Sequence, residues 1–382
     1  MKNKTFLTLV ISIIMATNLI NAQNDARQFR QPYPLGEKND AYAKYFVGQS
    51  YLYKISDNKD LNVPLANVTF EPSCRNNWHK HAGGQMLIAT AGIGYYQEKG
   101  KPARRLYPGD VVEIAPEVVH WHGAAPDSWF AHIAIECNPN IKGGSTWLEA
   151  VNDKEYLAAC EEAKNKYDKE NAVLSDRQKI IVSMGNFTAQ GNLLMLKQTL
   201  CQALEQGMTI NEAKEFLTHA YAYCGFPRAL RALNTLDEVI KERKAKGIND
   251  NWGRDCSPIN DNGDKYLRGA ETLEKLTGVS KDAPKAAFAV LAPTIDTFLK
   301  EHLFADIFDR DILTYKDREL FTVSLLIGEG GVEPMAQSHM EICLNIGITK
   351  SQLDAVLNIS EINIGKFYSD PVRKCLDTLT NK

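Results

Sequence analysis

Five histidines and one glutamine fall within strand-like sequence between Val68 and Glu136. In order they are His79, His81, Gln85, His120, His122 and His132. Side chains two residues apart on an extended strand point to the same face, so His79 and His81 are predicted to face one way. The turn-forming sequence Tyr107-Pro108-Gly109-Asp110 lies between the two histidine pairs. Strand, turn and strand with histidines at both ends predict a small β-barrel that gathers them at one mouth.

Three of these imidazoles with one amide oxygen form a donor set that suits a divalent transition metal. The set is His79, His81, Gln85 and His120. A His-x-His pair by itself is often incidental, but the surrounding glycines and the turn favour a metal site. His132 has two interpretations, a proton-transferring group or a satisfied core histidine on the strand Phe130–Ile135. Trp78, Met86 and Trp129 are interpreted as apolar lining of the pocket.

This segment resembles the cupins. Their first motif is His-x-His followed by an acid or amide and then glycine. Their second motif is Pro-x-Gly followed downstream by proline and histidine. The segment is most similar to the small bacterial cupins that include manganese-dependent hydroxynitrile lyases. The sequences that carry the resemblance are Val68-Thr69-Phe70-Glu71-Pro72, Trp78-His79-Lys80-His81, Gln85 and His120-Trp121-His122-Gly123-Ala124-Ala125-Pro126. Gln85 stands where most cupins have glutamate, and that subgroup shares the departure.

The resemblance implies that His79, His81, Gln85 and His120 bind the metal and that His132 is the general base. His122 is expected to assist proton transfer. Manganese is the metal expected first, with iron, nickel, zinc and copper as alternatives. A neutral glutamine ligand leaves the full charge on the cation and makes it a stronger Lewis acid. No other cofactor-binding residue is predicted.

The N-terminus has the pattern of a secretory signal, with two lysines, a short apolar run from Phe6 to about Ile20, and the polar junction Asn21-Ala22-Gln23. Cleavage is predicted after Ala22, which makes residues 1–22 a signal peptide and places the protein in the periplasm or outside the cell. The net charge of -3 excludes a strong electrostatic attraction to nucleic acid. No later segment is expected to span a membrane. The eight cysteines show no Cys-x-x-Cys, and their pairing cannot be assigned.

Helical periodicity is predicted from near Trp147 almost to the C-terminus, and it contains an internal repeat at a separation of about 140 residues. Asp176-Arg177 and Val182-Ser183 recur as Asp317-Arg318 and Val323-Ser324. Capping boxes are predicted at Ser175 with Gln178, Thr209 with Glu212, and Thr349 with Gln352. Helix ends are predicted at Gly207 and Gly347, a helix start at Pro227, and a helix over Tyr266–Thr277.

Both copies resemble the carboxymuconolactone decarboxylase and alkylhydroperoxidase D family, an all-helical fold that oligomerises. In the first copy the resemblance is carried by Asp176-Arg177, Ala203-Leu204, Gly207 and Ala222-Tyr223-Cys224-Gly225-Phe226-Pro227, and in the second by Phe304-Ala305-Asp306, Asp317-Arg318-Glu319, His339 and Asn345-Ile346-Gly347. It runs from about Leu157 to the end of the chain.

The family's peroxidase branch needs Cys-x-x-Cys four residues ahead of a histidine, and here Val332 and Met335 stand in those places. Without a thiolate and a resolving thiol there is no disulfide cycle, so peroxidase activity is disfavoured. The decarboxylase branch relies on acid-base groups, for which Glu319 and His339 are the candidates, with Glu333 nearby. His339 has the alternative role of a structural hydrogen bond between helices, and His219 is interpreted as structural.

The predicted architecture is a multidomain β plus α chain, a cupin β-barrel (double-stranded β-helix) followed by an all-helical tandem decarboxylase-like module. The boundaries are residues 40–140 for the cupin, 155–246 for the first repeat, 247–263 for a linker and 264–382 for the second repeat. The predicted function is a metal-dependent lyase or decarboxylase acting on a small oxygenated organic molecule, in a homo-oligomer. A cupin dioxygenase and a non-catalytic protein that binds a ligand through its metal are the alternatives.

Overall fold

The computed structural model describes residues 29–56, 58, 60–259 and 263–380. The chain divides into two compact units, Met1–Lys169 and Glu170–Lys382. The predicted signal peptide lies outside the described residues. Among the described residues, no helix is long and apolar enough to cross a membrane.

The first unit is an antiparallel β structure of two sheets. Its strands are β1 (Glu37–Lys38), β2 (Phe46–Val47), β3 (Ser50–Lys54), β4 (Leu65–Phe70), β5 (Arg75–Asn76), β6 (His79–His81), β7 (Gln85–Gly92), β8 (Gly94–Glu98), β9 (Arg104–Leu106), β10 (Val111–Ile114), β11 (His120–Ala124), β12 (Phe130–Glu136) and β13 (Ser145–Trp147). One sheet has the order β1-β3-β4-β12-β7-β10, and the other has the order β13-β6-β11-β5-β2, with β8 joining β11 to β9. This architecture agrees with the predicted fold class.

Alternation of buried and less buried residues along β7 shows which side of this strand faces the barrel core. In β7 the buried positions are every second residue from Gln85 onward, so Leu87 and Ala89 face inward with Gln85. Phe70, Leu106 and Phe130 are fully buried in the same core. The predicted turn at Tyr107–Asp110 is present, and Gly109 has the positive φ of 93° that a turn needs. The side chain of Asp110 closes the turn by accepting from the Tyr107 backbone N–H at 2.8 Å.

The expected start of helical structure near Trp147 is wrong. Trp147 lies in β13 and pairs with His79 of β6, and helix α1 (Asp153–Glu170) begins later. Three residues are too few to show a period, so sequence could not distinguish this strand from a helix. The start of α1 packs on the barrel, because Arg75 donates to the Val151 carbonyl at 2.9 Å and to Asp153 at 2.6 Å.

The second unit is helical. Its helices are α2 (Asp176–Gln190), α3 (Leu193–Glu205), α4 (Ile210–His219), α5 (Tyr221–Ala245), α6 (Lys265–Thr277), α7 (Ala287–Leu291), α8 (Pro293–Thr297), a π-helix (Phe298–Ile307), α9 (Tyr315–Glu329), α10 (Glu333–Asn345), α11 (Lys350–Ile364) and α12 (Lys366–Thr380). Helix α5 is interrupted at Cys224 and Gly225, just before Pro227, which starts its regular part as predicted.

The predicted helix boundaries are confirmed where capping chemistry specifies them. All three capping boxes are present, at Ser175, Thr209 and Thr349, each with its reciprocal side-chain and backbone bonds. Gly207 and Gly347 follow the helix ends with φ of 90° and 81°.

The related helices of the two repeats, α2 and α9, pack against each other. Asn186 donates to the Ser324 carbonyl at 2.9 Å, and a Cβ at Gly185 would lie 2.7 Å from that of Ser324. The two helices therefore approach closely because one of them carries glycine at the crossing.

Candidate metal centre

Strand register brings the histidines of distant segments together. His120 of β11 is the direct partner of His79 in β6, and His81 at the other end of β6 is the partner of Ser145 in β13. Gln85 opens β7 in the facing sheet. His79, His81, Gln85 and His120 are all buried.

His79 and His120 are held in the same way. The Nδ1 atom of His79 lies 2.9 Å from the Asn77 carbonyl, and that of His120 lies 3.0 Å from the Val118 carbonyl. A carbonyl only accepts, so each Nδ1 carries the proton and each Nε2 keeps its lone pair. Burial lowers the pKa of His79 well below its usual value and that of His120 to about 4, so both rings are neutral at pH 7.

His81 is oriented by a short polar relay. Its Nδ1 lies 3.1 Å from the Ser145 hydroxyl, which donates to Glu136 at 3.1 Å. The His81 imidazole, whose Nδ1 lies 3.6 Å from the Glu136 Oε1, and then the Ser145 hydroxyl hold the pKa of Glu136 below its usual value. The Nε2 atom of His81 is buried and has no hydrogen-bond partner among the described residues. An orphaned buried lone pair of this kind is costly unless something binds it.

These residues fit a divalent transition metal. The ring centroid of His79 lies 4.1 Å from that of His120 and 5.1 Å from that of His81. The centroids of His81 and His120 are 5.6 Å apart. The Gln85 Oε1 lies 3.4 Å from the His120 Nε2. Histidines that bind metal characteristically donate their outer N–H to a carbonyl or carboxylate, as His79 and His120 do here, whereas His81 reaches the Glu136 carboxylate through the Ser145 hydroxyl.

His122 lies close to this group but is held differently. His79, His120 and His122 each have a ring nitrogen that lies within 4.8 Å of a ring nitrogen of the other two. Asn76, however, donates from Nδ2 toward the His122 Nε2 at 3.0 Å. Burial, and then the neighbouring His132, lower the pKa of His122 well below its usual value. Proximity alone therefore does not make His122 a ligand.

His132 lies against the aromatic core of the barrel. It is fully buried, and its ring stacks on Phe70 at 5.4 Å and on Phe130 at 5.3 Å. Burial lowers its pKa to about 3. Neither of its nitrogens has a hydrogen-bond partner among the described residues, so the prediction of a satisfied core histidine is wrong. The His122 ring approaches it edge-on at 4.8 Å.

A cavity of about 560 Å³ opens on these groups. Its lining includes His79, His81, Gln85, His122 and His132. The apolar part of the wall comes from residues such as Phe46, Val68 and Trp147, whose indole stacks on His79 at 4.7 Å.

The apolar lining differs from the prediction. Trp78 packs instead with Trp121 in a separate apolar cluster, and Trp129 stacks on Phe29 and Tyr51. Met86 is not among the lining residues either. Sequence analysis also missed Asn76, Glu136, Ser145 and Trp147. Their positions facing the histidines depend on strand pairing, and no motif signals them.

The candidate residues of the helical unit form a separate pair. His339 Nδ1 lies 2.7 Å from the Glu319 Oε2, and Glu319 is fully buried with its Oε1 unpartnered among the described residues. His219 does not join them, because its Nε2 bonds the Thr322 hydroxyl at 2.8 Å. Burial raises the pKa of Cys343 well above its usual value, so this thiol is not activated.

Comparison with known proteins agrees with both parts of the chain. The carboxymuconolactone decarboxylase family model matches residues 154–238. An (R)-mandelonitrile lyase of Granulicella tundricola is 46% identical over 94 residues, which are 25% of this chain and 71% of that protein.

Two solved structures from Thermotoga maritima are also similar. A cupin-like protein is 43% identical with a TM-score of 0.33, covering 35% of this chain and 98% of that one. A predicted oxalate decarboxylase is 16% identical with a TM-score of 0.25, covering 28% of this chain and 95% of that one. Since it is 46% identical to the mandelonitrile lyase over 71% of that protein, the chain belongs to the same family of cupin-type proteins, and the helical region that follows its barrel matches the carboxymuconolactone decarboxylase family model over residues 154–238.

Proposed function

We propose that the cupin unit is a metal-dependent lyase that cleaves a carbon–carbon bond next to a hydroxyl group in a small substrate. The observation that carries the proposal is a contrast among the buried histidines of the barrel. The Nδ1 atoms of His79, His81 and His120 each bond to an oxygen, whereas neither nitrogen of His132 has a hydrogen-bond partner among the described residues. The three bonded histidines are arranged to bind a cation, and His132 is arranged to accept a proton.

The ligands in this proposal are His79, His81, Gln85 and His120, with manganese as the metal expected first. Bound there, the cation would supply a Lewis acid that makes the substrate hydroxyl more acidic. His132 is neutral at pH 7 because its pKa is lowered to about 3, and it accepts the hydroxyl proton. As the C=O bond forms, the carbon–carbon bond breaks and its electron pair leaves with the departing group. The low pKa of His132 then favours return of the proton to that group.

A 2-hydroxynitrile is the first substrate class to test, because the curated relative is a mandelonitrile lyase. The purified full chain is analysed for metals and supplied with (R)-mandelonitrile, and benzaldehyde formation is followed with and without a chelator. We expect turnover that disappears on chelation and returns with manganese. Turnover that survives complete removal of the metal would contradict the proposal.

The same assay separates the two alternatives. A dioxygenase requires molecular oxygen, so undiminished anaerobic turnover excludes it. A metal-dependent binding protein would hold metal and ligand without releasing any product. His132 lines the same cavity as His79 and His81 and has no hydrogen-bond partner among the described residues, and neither alternative accounts for this as directly as a proton-transfer reaction does.

The helical unit supports a second candidate function of the decarboxylase type. The fully buried carboxylate of Glu319 beside His339 can exchange a proton with the imidazole, which is the element that acid-base catalysis needs. The chain is also proposed to be exported after cleavage behind Ala22 and to form a homo-oligomer. Mass spectrometry of the mature N-terminus and sedimentation of the purified protein test these two proposals.

A further inference from the structure

Asn76 uses both ends of its side-chain amide on a single residue. Its Oδ1 accepts from the backbone N–H of His122 at 2.9 Å, and its Nδ2 lies 3.0 Å from the Nε2 of the same histidine. A backbone N–H can only donate, so the atom facing it must be the amide oxygen. The NH₂ group therefore faces the ring.

This arrangement specifies the tautomer of His122. An Nε2 atom that accepts from an amide N–H cannot carry a proton, so the proton of the neutral ring must be on Nδ1. His79 and His120 likewise carry their proton on Nδ1, but in them this proton is committed to a backbone carbonyl and the lone pair is free. In His122 the lone pair is committed, and the buried Nδ1 has no partner among the described residues.

The fold holds Asn76 firmly in this position. Asn76 is 2% exposed and pairs with Phe46 across β2 and β5. Its neighbour Arg75 pairs with Gly123, where an added Cβ would lie 2.5 Å from the Arg75 Cβ. Strands β5 and β11 thus approach closely at a glycine, next to the point where the amide meets the imidazole. An amide that two strands already hold in place loses little conformational entropy when it orients a ring.

We propose that Asn76 is a positioning residue that fixes His122 as the Nδ1–H tautomer, so that His122 offers the site a hydrogen-bond donor and no lone pair. His122 is then neither a metal ligand nor a general base, and His132 is left as the proton acceptor. The Nδ1–H of His122 would stabilise negative charge that develops on the departing group. The catalytic role of His122 rests on the proposed lyase function, whereas the assignment of its tautomer does not.

Nitrogen NMR of the imidazole rings tests the tautomer directly. The full chain, labelled with ¹⁵N-histidine and loaded with diamagnetic zinc, is expected to show His122 with a protonated Nδ1 and an unprotonated, metal-free Nε2. The His122 signals are assigned by their loss in His122→Gln. A proton on Nε2, or the shift of a metal-bound nitrogen on either atom of His122, would overturn the proposal.

Asn76→Asp supplies the matched perturbation, because a carboxylate of the same shape accepts where the amide donates. We expect the His122 proton to move to Nε2 in this variant, and an unchanged tautomer would refute the role of Asn76. Gln97→Glu is the control, since it makes the same change on β8 against Trp121, whose indole N–H donates to the Gln97 Oε1 at 2.8 Å. We expect it to leave the His122 tautomer as in the parent protein.

Two further measurements separate this inference from the proposed reaction. Zinc content is expected to be unchanged in His122→Gln, and loss of the metal in this variant would restore His122 as a ligand. If mandelonitrile is a substrate, Asn76→Asp is expected to lower kcat by about tenfold or more while KM changes little. If no turnover is found in the parent protein, the lyase proposal fails, and the NMR result still decides the tautomer.

Discussion

The two units of this chain hold their histidines against different kinds of partner. In the barrel, His79 and His120 donate to neutral backbone carbonyls. In the helical unit, His339 faces the carboxylate of Glu319, and His219 lies 3.3 Å from the guanidinium of Arg318. A neutral carbonyl orients a ring without charging it, so the opposite lone pair is free for a cation. His339 and His219 instead face a carboxylate and a guanidinium, so each is tied to a polar side chain of its own unit.

The largest effect is expected from the barrel ligands. His79→Ala and His120→Ala are expected to lose the metal and, with it, more than about 100-fold in turnover, because changes to the partners of metal ligands alone cost 10–100-fold. Metal analysis and the mandelonitrile assay measure both. His302→Ala, at a half-exposed histidine of the helical unit, is the control and should retain the metal. If either barrel variant kept its full metal content, the comparison between the units would break down.

His132→Phe is expected to separate chemistry from metal binding. Phenylalanine fits between Phe70 and Phe130 but cannot accept a proton, so turnover should fall by about 10²–10⁴-fold while the metal content stays unchanged. Turnover close to that of the parent protein would assign the proton acceptor elsewhere.

The same variant carries a prediction about pH. The pKa of His132 is about 3 in the folded protein against an ordinary value of 6.5. Its contribution to stability is therefore complete above pH 6.5 and is lost as the pH falls toward 3, by about 1.4 kcal/mol per pH unit. Denaturation of the metal-free proteins at several pH values should show His132→Phe losing less stability below pH 6.5 than the parent protein. Identical slopes would contradict this assignment.

In the helical unit the expected effect of a histidine change is on stability. His339→Ala leaves the buried Glu319 carboxylate without its partner and is expected to lower the free energy of unfolding by about 3 kcal/mol. Adding Glu319→Gln to this variant should restore part of the loss, because no charge is then buried. Denaturant unfolding measures both, and His302→Ala should cost less than about 1 kcal/mol. Mandelonitrile turnover in Glu319→Gln equal to that of the parent would confirm that the barrel acts independently.

The smallest effect is expected at the relay behind His81. Ser145→Ala removes the hydroxyl that links His81 to Glu136, and it should weaken metal binding by about tenfold without abolishing it. Competition with a chromophoric chelator gives the affinity. An unchanged affinity would indicate that Glu136, whose Oε1 lies 3.6 Å from the His81 Nδ1, orients the ring without the serine.

Features that depend on neighbours in the chain were predictable. The turn at Tyr107–Asp110 and the three capping boxes follow from contacts within a few residues, and the two fold classes follow from the periodicity and motifs of each segment. The residues that complete the site were not predictable in this way. Asn76 and Ser145 reach His122 and His81 only through strands that are 46 and 64 residues away along the chain.

The sequence by itself determined which side chains are available, because the identity and spacing of histidines, glycines and caps are local properties. It therefore specified a histidine-rich barrel followed by a repeated helical unit. Tertiary structure alone decided which lone pair of each histidine is free. That choice depends on whether a carbonyl, a hydroxyl or an amide lies within hydrogen-bond distance of a ring nitrogen, and strand register sets those distances.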